Sequence, residues 1–531
     1  MGINGFFPWY RKNFNSTILK LDHNTNIEGI DNFAIDLNGI FHPIAQKVFR
    51  YGNYKDKGII CEKYDKEDKI KEVYKEICIK IDDLVNDVSP KKRLFLCIDG
   101  IAPFAKQQQQ RKRRFKSSLE KSEIDFDPNT ISVGTKFMHE LSKYIIDHVK
   151  KSLENNEKWK NLNVTFSSEK VKGEGEHKAV NYFRKLPDNE VYCIHALDAD
   201  LILLCLGMIN KKKVYVIRDE NYTFHKYNLL NIGKYRELLK EKLNPYEYVN
   251  SDLCIYDFIL ILSLIGNDFL PTIPCIYVWN SGIDRLIDIY LLTIEKVNKN
   301  IVEYNNKNEV EINIEVLKVF LQYLSLFEKE NLENFINSDI EYFKYEILEK
   351  SINEEKDVDI IKFRNLYNTK NFNNKIDNVC KEYIKGLEWI ISYYIDGKVI
   401  WEWFYPYHYS PFTYDMYNYL KNNEYMKEEE EKEGIKEGII EGQIFQLMCV
   451  LPMNSFYLIP EIFHEEIKGN MRDKYPEKIN IDLEGKCKEY EGICLIPIID
   501  IEKMKDIYYK NVDNMSEEYK ELNKKEIDII F

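Results

Sequence analysis

The chain has 531 residues and a formal net charge of −13, from 75 Lys and Arg against 88 Asp and Glu. That length exceeds what one hydrophobic core usually serves, so two or more structural units are expected. No apolar run reaches 18 residues, which argues against a membrane helix, and the acidic balance argues against a protein that coats nucleic acid with its whole surface; functional positive charge has to be local.

The opening MGINGFFPWYRK lacks the long apolar stretch of a signal peptide. Gly2 invites myristoylation, but Phe6 stands where that signal needs Ser or Thr. The 11 cysteines form no C-x-x-C pair and no cluster with zinc spacing, so they read as reduced thiols of an intracellular protein. The run KKK at 211–213 precedes a strand and makes a poor nuclear signal, so a cytoplasmic location is expected.

From about residue 30 to 280, short apolar runs alternate with longer amphipathic stretches. NFAIDLNG, RLFLCIDG, NVTFSSE, VYCIHALDAD and KKVYVIRD read as strands. The stretches 62–88, 102–122, 134–155, 174–186 and 227–242 read as helices. This alternation predicts an α/β fold, a largely parallel sheet flanked by helices, over an N-terminal domain 1–284. Residues 285–375 carry helical periodicity in a run rich in Asn, Lys and Glu, and read as a helical connector. A third region, 376–531, opens on the aromatic segment GLEWIISYYIDGKVIWEWFYPYHYSPF. It continues through the charge run MKEEEEKEGIKEG at 426–438, read as solvated, to the apolar runs QLMCVLP and CLIPIID.

Ligands of parallel sheets sit beyond the carboxyl ends of the strands, and Asp36, Asp99, Asp198 and Asp200 all lie at such ends, among seven acids in distinctive local contexts. Asp36 lies in IDLNG, Asp99 in CIDG, Glu174 and Glu176 in KGEGEHK, Asp198 and Asp200 in LDAD, and Asp268 in GNDFLP. In GEGE and DAD the acids are two apart, which in extended chain puts both on one face. A single Asp at a strand end usually caps a turn or helix. Several such places in one α/β pattern instead suggest a shared site. Converging carboxylates need cations, and hard oxygen donors without His or Cys favour Mg²⁺ or Mn²⁺. Two ions roughly 4 Å apart would clamp the attacking and leaving oxygens of a phosphoryl displacement.

Lys106, Gln110, Arg113 and Arg114 recur at the spacing of one helical face. Arginine forks and a glutamine amide suit phosphate oxygens, so this face could hold a terminal phosphate. The aromatic segment offers stacking surfaces for bases, as does His42, although core packing also accounts for such residues.

The order and wording of these motifs resemble the XRN family of 5′→3′ exoribonucleases. MGINGFFPW, DLNGIFH, IDGIAPFAKQQQQRKRRF, GTKFMHEL, GEGEHK, LDADLILL and GNDFLPTIP follow the family's first conserved region. GLEWIISYY, WEWFYPYHYSPF, FQLMCVLP and CLIPIID resemble the second. The resemblance implies a flap-endonuclease-like nuclease core, with 376–531 closing one side of the site. It implies Mg²⁺ at Asp36, Asp99, Glu174, Glu176, Asp198, Asp200 and Asp268, and a 5′-phosphate pocket at Lys106, Gln110, Arg113 and Arg114. It also implies base stacking by His42 with a tryptophan; Trp389, Trp401 and Trp403 are candidates, the last two preferred. Phe104 stands where the family usually has a basic residue, and Lys172 where it often has Pro; neither departure removes a ligand.

The expected activity is processive 5′→3′ degradation of 5′-monophosphorylated single-stranded RNA to mononucleotides. The rivals are a structure-specific flap-type DNA nuclease and a catalytically silent RNA-binding scaffold. Loss of an acid would favour the scaffold, and none of the seven is lost.

Overall fold

The computed structural model describes residues 3, 5–21, 29–55, 65–118, 126–220, 226–278, 281–338, 340–355, 357–423 and 440–531. The charge run at 426–438 lies outside them, as do the first residues of the expected helix 62–88 and the last of 102–122.

Eight strands form the main sheet: β1 (Ile18–Leu21), β2 (Asn32–Asp36), β3 (Arg93–Cys97), β4 (Asn163–Ser167), β5 (Tyr192–His195), β6 (Val214–Asp219), β7 (Tyr227–Asn231) and β8 (Ile529–Ile530). Their spatial order is β1-β7-β6-β5-β2-β3-β4-β8. The five central strands, β6 to β4, run parallel, while β7, β1 and β8 add antiparallel edges. The central strands are buried on both faces, which is why they read as continuous apolar runs. Along β2, Phe33 and Ile35 join one core, and Ala34 the opposite one, as a period of two requires.

The helices that bear on the sheet and the site are α1 (Phe6–Asn13), α2 (Asn38–Phe49), α3 (Lys66–Val88), α4 (Phe104–Ser117), α5 (Lys136–Asn155), α6 (Gly175–Arg184), α7 (Asp200–Leu206) and α8 (Ile232–Leu243). Several begin where a polar side chain can close the first turn. Asp65 accepts from Asp68 N, Thr135 from Met138 N and Asn231 from Lys234 N.

That last cap corrects the expected helix 227–242. Residues 227–231 are a strand, paired on one side with β6 and on the other with β1. Leu229, Leu230 and Ile232 fit helical spacing, but Asn231 marks the true helix start, and strand pairing settles the residues before it. The edge strands β1 and β8, four and two residues long, carry no sequence pattern strong enough to find them.

Residues 285–375 are mostly helical, with a small hairpin of Val302–Tyr304 and Val310–Ile312. They pack into the same apolar core as the sheet through Leu317, Phe320 and Phe335, among others. The aromatic segment joins that core too. A separate core of residues 444–515 reaches back to Phe104 and Phe115, so the last region is packed directly onto α4.

Candidate active site

The chain winds β2→β3→β4 towards one side of the sheet, then crosses to β5 on the other side of β2. A crevice opens at the carboxyl edge where such a winding reverses. Asp36 ends β2, Asp99 lies two residues past β3, Glu174 precedes α6 beyond β4, and Asp198 and Asp200 follow β5.

Backbone contacts stitch these loops together. Asp99 N donates to Asn38 Oδ1 at 2.8 Å, and Asn38 N donates to Asp36 Oδ1 at 3.2 Å. Gly175 N donates to Asp99 Oδ1 at 2.7 Å. Gly175 has to be glycine: a Cβ there would lie 2.4 Å from Asp36 Oδ1. Gly173, at φ +102°, makes the turn that brings Glu174 in. Glu174 itself is extended and stands at the N-cap of α6, whereas Glu176 is already in its first turn. The GEGE motif is therefore half extended and half helical. Ile3 N donates to Asp200 Oδ1 at 3.2 Å, so the N-terminal segment also reaches the cluster.

The acids feel one another. Burial, then Asp99 and Asp198, hold the Asp36 pKa well above the usual carboxylate value. Burial raises Glu174 and, more strongly, Glu176, whose neighbours Asp198, Asp200 and Glu174 add to the effect. Asp200 is pushed up to about 7 by burial and Asp268. Asp268 differs: burial would raise it, but the Lys106 charge and hydrogen bond bring it below the usual value. Lys106 Nζ lies 2.5 Å from Glu174 Oε2 and 2.8 Å from Asp268 Oδ2. Burial opposes its charge, yet Asp268, Glu174 and Glu176 together lift its pKa well above the ordinary lysine value.

The rest of the cationic face lies close by. Arg114 is half-buried and donates to Ser132 Oγ at 2.5 Å; burial and Arg113 disfavour its charge, with Asp127 and Asp99 opposing them. Arg113 is exposed, and its charge is felt at both Asp268 and His42. Burial, helped by Arg113 and Arg114, lowers the His42 pKa to about 3, leaving a flat neutral ring at neutral pH. Gln110 is buried and bonded to Gln446 at 3.2 Å.

The tryptophans separate. Trp389 is buried, stacks on Tyr393 with centroids 4.8 Å apart, and donates to Ile400 O. Trp403 is also buried, packs 5.6 Å from Trp389 and donates to Glu382, so it is a core residue and not the equal of Trp401 as a stacking surface. Trp401 is partly exposed, carries the Lys172 ammonium 5.5 Å from its ring, and accepts from Phe104 N at the start of α4.

Three contacts escaped sequence reasoning. Tyr393 donates to Glu174 Oε1 at 2.7 Å from the aromatic segment, Ile3 acts from the N-terminal segment, and Gln446 from the helix Gln443–Val450. No local pattern signals them, because their partners lie hundreds of residues away.

These features fit a hard divalent cation. All the donors are carboxylate oxygens, and Glu176 Oε2 is buried without a hydrogen-bond partner. Two unit charges 4 Å apart repel by about 4 kcal/mol at an effective dielectric of 20. One lysine offsets only part of that. Among the described residues, however, no trio of acids, His or Cys is already drawn into a ligand cage. Lys106 stands between two of the acids.

Comparison with known proteins places the chain. Residues 1–220 match the model of the XRN 5′-3′ exonuclease N-terminus, and residues 248–360 and 360–531 match that of the Xrn1 helical domain. The chain belongs to the XRN family. Among its XRN relatives, the 5′-3′ exoribonuclease 1 of Saccharomyces cerevisiae is 26% identical over 710 residues, covering 100% of this chain and 44% of the relative. The human 5′-3′ exoribonuclease 1 is 26% identical, over 95% of this chain and 34% of the relative. The 5′-3′ exoribonuclease 2 homolog of Drosophila melanogaster is 24% identical, over 99% of this chain and 72% of the relative. The chain thus spans less than half the length of the first two. Among solved structures, the catalytic core of Rad2 in complex with DNA substrate aligns at 13% identity and a TM-score of 0.35, covering 79% of this XRN chain and 95% of that one.

Proposed function

We propose that this chain is a divalent-metal-dependent 5′→3′ exoribonuclease that removes mononucleotides processively from single-stranded RNA carrying a 5′-monophosphate. One observation carries the reading: acids from four strand ends meet at the sheet's carboxyl edge, beside the cationic face of α4.

Asp36, Asp99, Glu174, Glu176, Asp198, Asp200 and Asp268 would hold two Mg²⁺ or Mn²⁺ ions. Bound there, such ions supply hydroxide at neutral pH and screen charge on the attacked phosphate. The protein's own groups do the remaining work. Lys106, Gln110, Arg113 and Arg114 grip the 5′-phosphate. The neutral His42 ring and the Trp401 indole stack on leading bases. Behind α4, the helix Gln443–Val450 and Tyr475 would close the far end; Arg111, which donates to Cys449 O and packs 4.8 Å from the Tyr475 ring, ties them to α4. A strand can then present only its end. Each cut creates a new 5′-phosphate for the same grip.

Among the described residues no helix is long and apolar enough to cross a membrane, and the ten described cysteines are free thiols. The free thiols support action in a reducing compartment, which we take to be the cytoplasm.

The test compares RNAs of one sequence bearing a 5′-monophosphate, a 5′-hydroxyl or a cap, with Mg²⁺ and with a chelator. Only the monophosphate RNA in Mg²⁺ should decay quickly, releasing mononucleotides. Equal decay of all three would remove the proposed mechanism, and cutting at internal DNA junctions would favour the flap-type alternative.

A further inference from the structure

We infer that Gln446 is a positioning residue that fixes the amide of Gln110, turning its NH₂ group and not its oxygen towards the 5′ end of the substrate. This rests on the proposal that Gln110 contacts the 5′-phosphate.

Gln110 and Gln446 are 336 residues apart and both are buried. Their orientations follow from one group whose role is unambiguous. The backbone N–H of Ala102 can only donate, and it donates to Gln446 Oε1 at 2.8 Å. Reversing the Gln446 amide would set its NH₂ against that N–H, two donors facing each other. With Gln446 so fixed, its Nε2 is left to donate to Gln110 Oε1 at 3.2 Å. Reversing Gln110 would then oppose two NH₂ groups. Both hydrogens of Gln110 Nε2 remain for a ligand, and among the described residues Gln110 makes no other side-chain hydrogen bond.

The relay has a firm base. Ala102 O accepts from Gln107 Nε2 at 2.9 Å, so the peptide that starts the relay is held through both of its polar groups. Arg111, the next residue on α4, donates to Cys449 O on the same helix as Gln446 and stacks 4.4 Å from Phe115. The two helices are thus locked where the amides meet. A phosphate dianion accepts hydrogen bonds and never donates them. An inverted Gln110 would present it with a carbonyl oxygen in place of a donor, while a 5′-hydroxyl could tolerate either orientation. Gln446 is therefore predicted to govern 5′-phosphate selectivity without touching RNA.

The experiment measures binding of 5′-phosphorylated and 5′-hydroxyl single-stranded RNA of one sequence, in chelator so that neither is cut. Proteins are the full chain, Gln446→Met, Gln110→Met and the double variant, each checked for cooperative melting. The wild type should prefer the phosphorylated RNA. Gln446→Met should reduce that preference about tenfold or more, Gln110→Met similarly, and the double variant no further. Gln446→Glu at pH 8 is the second variant; it keeps the acceptor for Ala102 and places another acceptor against Gln110 Oε1, and it should lose the preference too. A folded Gln446 variant that keeps the full preference, or a double variant whose losses multiply, overturns the inference alone. A wild type with no preference overturns the phosphate reading beneath it as well.

Discussion

The Lys106 ammonium lies 2.8 Å from the Asp268 carboxylate, joining the cationic helix to an acid 162 residues away. One side chain therefore joins the two halves of the proposed site: it stands on the cationic face of α4 and supplies a counter-charge to Glu174 and Asp268. Lys106→Met should lower stability by about 3 kcal/mol near pH 8, because it leaves Glu174 and Asp268 without their counter-charge. The deficit should shrink near pH 6, where those acids can take up protons in its place. Denaturant melts at the two pH values check this, and an equal deficit at both would contradict it.

The raised carboxyl pKa values predict how metal-free stability depends on pH. Asp200 sits at about 7 when folded, against roughly 3.9 when unfolded. Between those values the folded chain holds a proton that the unfolded chain has released. That contribution is full below about pH 4 and fades as pH rises towards 7. In chelator, melting temperature should fall from about pH 5 to pH 8, and less steeply in Asp200→Asn. Mg²⁺ should raise the melting temperature more at pH 8 than at pH 6, since binding must displace the protons. A Mg²⁺ effect independent of pH would contradict this.

Gly175→Ala puts a methyl group 2.4 Å from Asp36 Oδ1. The Asp36 carboxylate must shift, because a Cβ does not approach another heavy atom that closely. Calorimetric affinity for Mg²⁺ should drop about tenfold or more, a cost of at least 1.4 kcal/mol, with cooperative unfolding retained. Unchanged affinity would mean that Asp36 is not a ligand.

Trp401 and Trp403, two residues apart, should fail in different ways. Trp403→Ala empties a buried site and should cost about 3–5 kcal/mol of stability. Trp401→Ala should melt nearly as the wild type does but lose about 1–3 kcal/mol of single-stranded RNA affinity. The reverse pattern, with Trp403 carrying RNA affinity, would contradict the assignment.

The parts of this fold that were legible in sequence are those whose physics is local. Continuous apolar runs mark the central strands because parallel strands are buried on both faces, and Asp36, Asp99, Asp198 and Asp200 are visible because each closely follows such a run. Tyr227–Asn231 was misread because its leucines suit either period, and only pairing with β6 and β1 decides between them. Tyr393, Ile3 and Gln446 were invisible for a related reason: their roles depend on partners 219, 197 and 336 residues away. Trp401 and Trp403 could not be ranked until burial separated them.

The most direct test of the central claim uses Asp200→Ala with 5′-monophosphorylated RNA under single-turnover conditions, alongside a binding measurement. The account predicts that cleavage is abolished, by roughly a thousandfold or more if a metal site is lost, while RNA is still bound through α4. Cleavage at the wild-type rate would contradict the gathering of these acids into one metal-holding site.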